Sequence, residues 1–134
     1  MAVKICLPNA DRERFQREIS NTQSIRMEGV IKIDACDVHV TKDGHPFYAT
    51  RWINGPTLGE FLRDKGRSSK DKLEKVLEAC RIVGVLHEKG KTGLTHRDLK
   101  PSNFMVEDGV TVVLLDMGSS RSDSDSPRKA CRNC

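Results

Sequence analysis

His96-Arg97-Asp98-Leu99-Lys100-Pro101-Ser102-Asn103 decides how this chain folds, together with Asp116-Met117-Gly118 a short way beyond it. Between the two stand Phe104-Met105-Val106 and the run from Val110 to Leu115. They flank Glu107-Asp108-Gly109, a turn signal that reads as a β-hairpin. Phosphoryl transfer needs a carboxylate that orients a hydroxyl and accepts its proton, and cations that neutralise the γ-phosphate. It also needs hard oxygen ligands for magnesium, of which Asp and Asn are two. Asp98, Lys100 and Asn103 supply one of each within a single loop. The hairpin then returns the chain with Asp116 and a glycine that permits a tight approach. The bland alternative is a polar loop with an incidental acid, and it leaves the spacing of all four groups unexplained.

Working backwards, the stretch from Ser69 to Lys89 reads as a long amphipathic helix with Leu73, Val76, Leu77, Cys80, Val83 and Leu86 on one stripe. It would be roughly 30 Å long, enough to run through a domain core. Gly84 costs such a helix about 1 kcal/mol in propensity, which suggests close packing there. Before it, Thr57-Leu58-Gly59-Glu60 has the form of a capping box that opens a short helix ending near Gly66. Asn54-Gly55-Pro56 breaks the chain ahead of that helix. Residues 30–40 are rich in β-branched side chains, and Asp43-Gly44 turns them into a second strand, His45 to Ile53. At the start, 2–7 reads as a short strand. Residues 11–25 read as a helix with Phe15, Ile19 and Thr22 at helical spacing and Asp11 as its cap. No internal repeat is visible.

Composition excludes more than it selects. The 134 residues carry a net charge of +4, but 31% charged residues of both signs is ordinary solvated surface, and 4% aromatics offer no base-stacking platform. A nucleic-acid partner is therefore disfavoured. No run of about 18 apolar residues exists, so no transmembrane helix is expected. The first residues lack the layout of a secretory signal, and a cytoplasmic location is the default expectation. Cys6, Cys36 and Cys80 stand singly in apolar contexts, where cysteines usually behave as small buried hydrophobes. Cys131-Arg132-Asn133-Cys134 lacks a second ligand pair or a strand–helix context, so it reads as tail rather than as a redox or zinc motif.

The loop and the Asp-x-Gly that follows it resemble the signature of the eukaryotic-type serine/threonine protein kinase family. The resemblance implies Asp98 as catalytic base, Asn103 and Asp116 as magnesium ligands, and Lys100 as the lysine serine/threonine kinases carry in this loop. Arg97 is similar to the arginine of kinases controlled by activation-loop phosphorylation. Ala2-Val3-Lys4-Ile5 looks like the strand with the ATP-binding lysine, and Phe15-Gln16-Arg17-Glu18-Ile19 like the helix with its ion-pair partner, so Lys4 is expected to meet Glu18. Thr50 falls at the gatekeeper position, and Arg51-Trp52-Ile53 at the hinge, where backbone groups bind adenine. Ala2 and Met105 fall where the family sandwiches the adenine ring. ATP and Mg2+ are the implied cofactors, and a protein serine or threonine is the implied substrate.

The implied fold is α+β and kinase-like but incomplete: a partial N-lobe sheet with one helix, a hinge, a long core helix, a catalytic loop and a β-hairpin. The implied division is an N-lobe part at 1–50, a hinge at 51–54 and the start of a C-lobe at 55–121, with a disordered tail at 122–134. Several departures qualify the resemblance. The Gly-rich phosphate loop has no counterpart, the segment beyond Gly118 is short, and Lys4 and Glu18 are closer in sequence than is usual. Thr22 is polar where the family's internal spine is apolar, with Ile33, His96 and Met117 for its other positions. A truncated kinase is thus expected, its long helix partly exposed and open to a covering partner. The alternative is a non-catalytic kinase-like fragment or pseudokinase acting as a binding module. A small-molecule phosphotransferase shares the Asp-to-Asn spacing, but Lys100-Pro101 disfavours it.

Overall fold

In a computed structural model, residues 1–8, 10–89 and 99–115 are described. The chain is α+β, with helices and two small antiparallel sheets. The first sheet holds β1 (Ala2–Ile5), β2 (Val38–Val40) and β3 (Pro46–Thr50), in the order β1-β3-β2. In the β1–β3 register Ala2 faces Thr50 and Lys4 faces Tyr48. Helix α1 (Arg12–Ser24) starts at Asp11, whose carboxylate accepts the Arg14 N–H at 2.9 Å. It buries Phe15 and Ile19 against Cys6, Ile33 and Tyr48. Thr22 is also buried, and its hydroxyl donates to the Glu18 carbonyl at 2.8 Å. Its polarity is thereby satisfied within the helix.

The β-branched stretch departs from expectation, because its strand covers only Val38–Val40. Ahead of it, Ala35–Asp37 form a 3-10 turn. Val30 makes an isolated parallel bridge to Leu114, and Ile31 donates its N–H to the Leu114 carbonyl at 2.9 Å. Val30, Ile31 and Ile33 enter three different apolar clusters. Their branched side chains follow from burial along a connecting segment rather than from a sheet ladder.

Beyond the linker come α2 (Leu58–Arg63), α3 (Ser69–Lys89) and the hairpin of β4 (Phe104–Glu107) with β5 (Thr111–Leu114). The capping box at Thr57 is formed: its hydroxyl accepts the Glu60 N–H at 3.2 Å, and Glu60 accepts the Thr57 N–H at 2.8 Å. Helix α2 ends at Arg63, earlier than Gly66, where the Asp64 N–H bonds the Glu60 carbonyl. Asp108 at φ 49° and Gly109 at φ 74° make the hairpin turn. Gly55 is dictated by proximity, since a Cβ there would lie 2.0 Å from the Val106 carbonyl oxygen.

The buried face of α3 is not the stripe read from the sequence. Ala79, Ile82 and Leu86 pack on Val30, Phe104, Val112 and Leu114, whereas Leu73, Leu77 and Cys80 are exposed. Two apolar arcs exist on this helix, and the hairpin takes the one that also carries Glu78. The Glu78 carboxylate accepts the Val112 N–H at 2.8 Å, which fixes that rotation. The other arc, with Val76, Cys80 and Val83, borders an open apolar groove of about 500 Å³. Among the described residues nothing lies within 4 Å of where a Gly84 Cβ would stand, so close packing with them does not explain it. Cys6 is buried as expected, but Cys36 and Cys80 are exposed. Among the described residues no helix is long and apolar enough to cross a membrane.

Candidate functional site

The short linker from Arg51 to Pro56 joins β3 to α2 and puts the first sheet over the β4–β5 hairpin. Hydrogen bonds to the hairpin help to set its path, among them Val106 N–H to the Pro56 carbonyl at 2.9 Å, Asp108 N–H to the Asn54 carbonyl at 2.7 Å, and Asn54 Nδ2 to Asp108 Oδ1 at 2.9 Å. Between the two sheets lies a cleft of about 300 Å³. Ala2, Ile31, Ile53, Met105 and Leu115 give it apolar walls, and Lys4, Thr50, Ser102 and Asn103 add polar groups. Apolar walls with a few convergent polar groups are the usual make-up of a small-molecule site.

Among the described residues, Lys4 and Arg51 are the cations that line the cleft. Lys4 Nζ donates to Glu18 Oε1 at 2.6 Å, joining β1 to α1. The Glu18 side chain is 7% exposed, and that of Lys4 is 44% exposed. A carboxylate this buried needs its partners, because removing one leaves an uncompensated charge. The Tyr48 hydroxyl also donates to Glu18 Oε1, at 2.5 Å.

Of the sequence-predicted site residues, Ala2, Lys4, Arg51, Ile53, Met105 and Asn103 line this one cleft, and Glu18 reaches it through Lys4. Ile53 is buried with Ile31 and Val113. The Arg51 side chain turns to the rim, where its guanidinium makes a two-pronged bridge to Glu107, with Nη2 to Oε2 at 2.9 Å. Donating this hydrogen bond to Glu107 raises the Arg51 pKa, and accepting it holds the Glu107 carboxyl below its ordinary value. Asn103 is buried; its backbone N–H bonds the Lys100 carbonyl at 2.9 Å and its carbonyl accepts the Leu115 N–H at 2.8 Å. Lys100 is exposed and borders the α3 groove rather than the cleft. Asp98 and Asp116 lie outside the described residues, as do His96, Arg97, Met117, Gly118 and the tail with its Cys-x-x-Cys.

The cleft combines apolar walls with the Lys4 ammonium, which is paired to Glu18. Asn103 contributes a hard oxygen donor of the kind magnesium takes. Sequence reasoning missed Tyr48. Its signal was a strand register that puts it opposite Lys4, and pairing between β1 and β3 is not written in any local motif.

A family model described as protein kinase domain matches residues 1–133. The chain is 26% identical over 133 residues to the serine/threonine-protein kinase PknB of Mycobacterium tuberculosis, covering 94% of this chain and 21% of that protein. It is 27% identical over 117 residues to a probable serine/threonine-protein kinase of Corynebacterium efficiens, covering 86% and 17%. A probable serine/threonine-protein kinase of Clostridium acetobutylicum is 29% identical over 114 residues, covering 84% and 16%. The chain spans about a fifth of the length of the curated relatives it matches.

Proposed function

The chain belongs to the protein kinase domain family, and on that premise we propose that it takes part in ATP-dependent phosphoryl transfer to serine or threonine of a protein. The observation that carries this reading is the Lys4–Glu18 ion pair at the wall of a cleft floored by Met105 and Asn103. In this reading residues 1–50 form part of an N-lobe, 51–54 the hinge, and 55–121 the start of a C-lobe. Ala2 and Met105 sandwich the adenine, and the backbone of Arg51 and Ile53 holds its edge. Lys4, held by Glu18, binds phosphate oxygens as a compact charge. Asp98 orients the substrate hydroxyl and takes its proton, and Lys100 offers positive charge beside it. Magnesium, when bound with ATP, supplies neutralisation of the phosphate charge. Asn103 and Asp116 are the residues that would hold it. Free thiols at Cys6, Cys36 and Cys80 suit a reducing, cytoplasmic setting.

The test is transfer of labelled γ-phosphate from Mg-ATP to a panel of proteins, comparing the chain with Asp98→Asn. A loss of about 100-fold or more is expected in the variant. Transfer unaffected by Asp98→Asn would overturn the assignment. A second reading, a binding module without turnover, draws on the open groove beside α3. It is favoured by an outcome in which the chain binds nucleotide yet transfers no phosphate.

A further inference from the structure

Glu18 Oε1 receives two donors, Lys4 Nζ at 2.6 Å and the Tyr48 hydroxyl at 2.5 Å. We propose that Tyr48 is a positioning residue of the nucleotide site, fixing the Glu18 carboxylate so that Lys4 is aimed at the phosphates. This inference rests on the phosphoryl-transfer reading above.

The reasoning starts from stiffness. A lysine ammonium is a point charge on a flexible four-carbon stem, with three donors that rotate. Its direction must come from its partner. Glutamate is itself long and rotamer-rich, so an ion pair alone fixes neither group. A donor on a rigid ring supplies what the pair lacks. Tyr48 sits on β3, the middle strand, directly opposite Lys4 in the register. Tyr48 is 5% exposed, and its ring stacks on Phe15 of α1, with centroids 5.5 Å apart and planes at 29°. The phenol is therefore held from the sheet and from the helix at once. Its bond to Glu18 is charge-assisted and short, the stronger class of hydrogen bond. Three elements thus meet at one carboxylate oxygen: β1 through Lys4, α1 through Glu18, and β3 through Tyr48. The last is the strand that runs into the linker along the adenine side of the cleft. Tyr48 ties the phosphate end of the cleft to that strand.

The test compares the full chain with Tyr48→Phe, which keeps the stacked ring and removes only the hydroxyl. Calorimetric titrations with Mg-ATP and with adenosine separate aim from integrity, since adenosine has no group for Lys4 to bind. We expect about a tenfold loss of Mg-ATP affinity, the scale of one hydrogen bond to a charged group. Adenosine affinity should stay within about twofold, and in a Glu18→Gln background the substitution should add under about twofold. Tyr48 is the chain's only tyrosine, so its Raman doublet reports the phenol directly. The strong-donor pattern should be present in the native chain and lost in Glu18→Gln. Equal losses for both ligands, no loss for Mg-ATP, or a full effect in the Glu18→Gln background would overturn the role given to Tyr48. A native chain that binds neither ligand, with the Raman pattern intact, would instead overturn the nucleotide reading on which that role rests.

Discussion

On one side of the cleft β4 and β5 bury Val106, Val112 and Leu114 completely, whereas on the other β1 leaves Val3 51% and Ile5 48% exposed. The hairpin is locked by apolar contact with α2, α3 and Val30. Strand β1 is fixed by its ladder to β3 and by polar contacts from Lys4. Burial is non-directional and strong, so it makes a firm floor. Hydrogen bonds are directional and individually modest, so they aim a group while leaving its strand easier to displace. Lys4 sits on β1, the more exposed of the strands compared.

The sharpest way to break that comparison is to truncate each side. Leu114→Ala should cost about 4 kcal/mol, within the range for fully buried leucines, whereas Val3→Ala should change stability by under about 0.5 kcal/mol. Denaturant titration of both variants reads the difference. Comparable costs would show that β1 is packed as tightly as the hairpin. Thr57→Ala comes next, at about 1 kcal/mol for the lost cap on the floor side. Gly84→Ala should raise stability by roughly 0.5 to 1 kcal/mol, since a Cβ at that helical position meets none of the described residues within 4 Å. A loss there would mean that the exposed arc of α3 is occupied in solution.

The smallest effect concerns the bridge between the linker and the hairpin. Arg51 holds the Glu107 carboxyl below its ordinary value through their hydrogen bond. A group whose pKa is depressed on folding contributes stability above its unfolded value and loses it as pH falls through the folded value. The native chain should therefore lose this contribution as pH drops below the ordinary carboxylate range. Arg51→Met should flatten that part of the stability–pH curve, and added salt should do the same in the native chain. An unchanged curve would mean that the bridge contributes nothing in water.

What the sequence disclosed divides along similar lines. The hairpin turn at Asp108-Gly109, the Asp11 cap, the Thr57 capping box and the span of α3 are local patterns, and each was legible. The α+β class was legible too, and the contact between Lys4 and Glu18 came from resemblance rather than from spacing. The inward face of α3 was not legible, because two apolar arcs compete and the contacts that distinguish them, Glu78 with Val112 and Lys75 with Val110, are long-range. Val30, Ile31 and Ile33 look like a strand because burial and β-propensity select the same side chains. Tyr48 was hidden in a long-range register. Asp98 and Asp116, on which the catalytic reading most depends, lie outside the described residues.

Calorimetric titration of the purified chain with ATP, with and without magnesium, and with Lys4→Met and Asp116→Asn beside it, tests the central claim most directly. We expect saturable binding that strengthens with magnesium, weakens in Lys4→Met, and loses its magnesium dependence in Asp116→Asn. Binding that ignores magnesium and both substitutions, or no binding at all, would contradict a nucleotide site in this cleft.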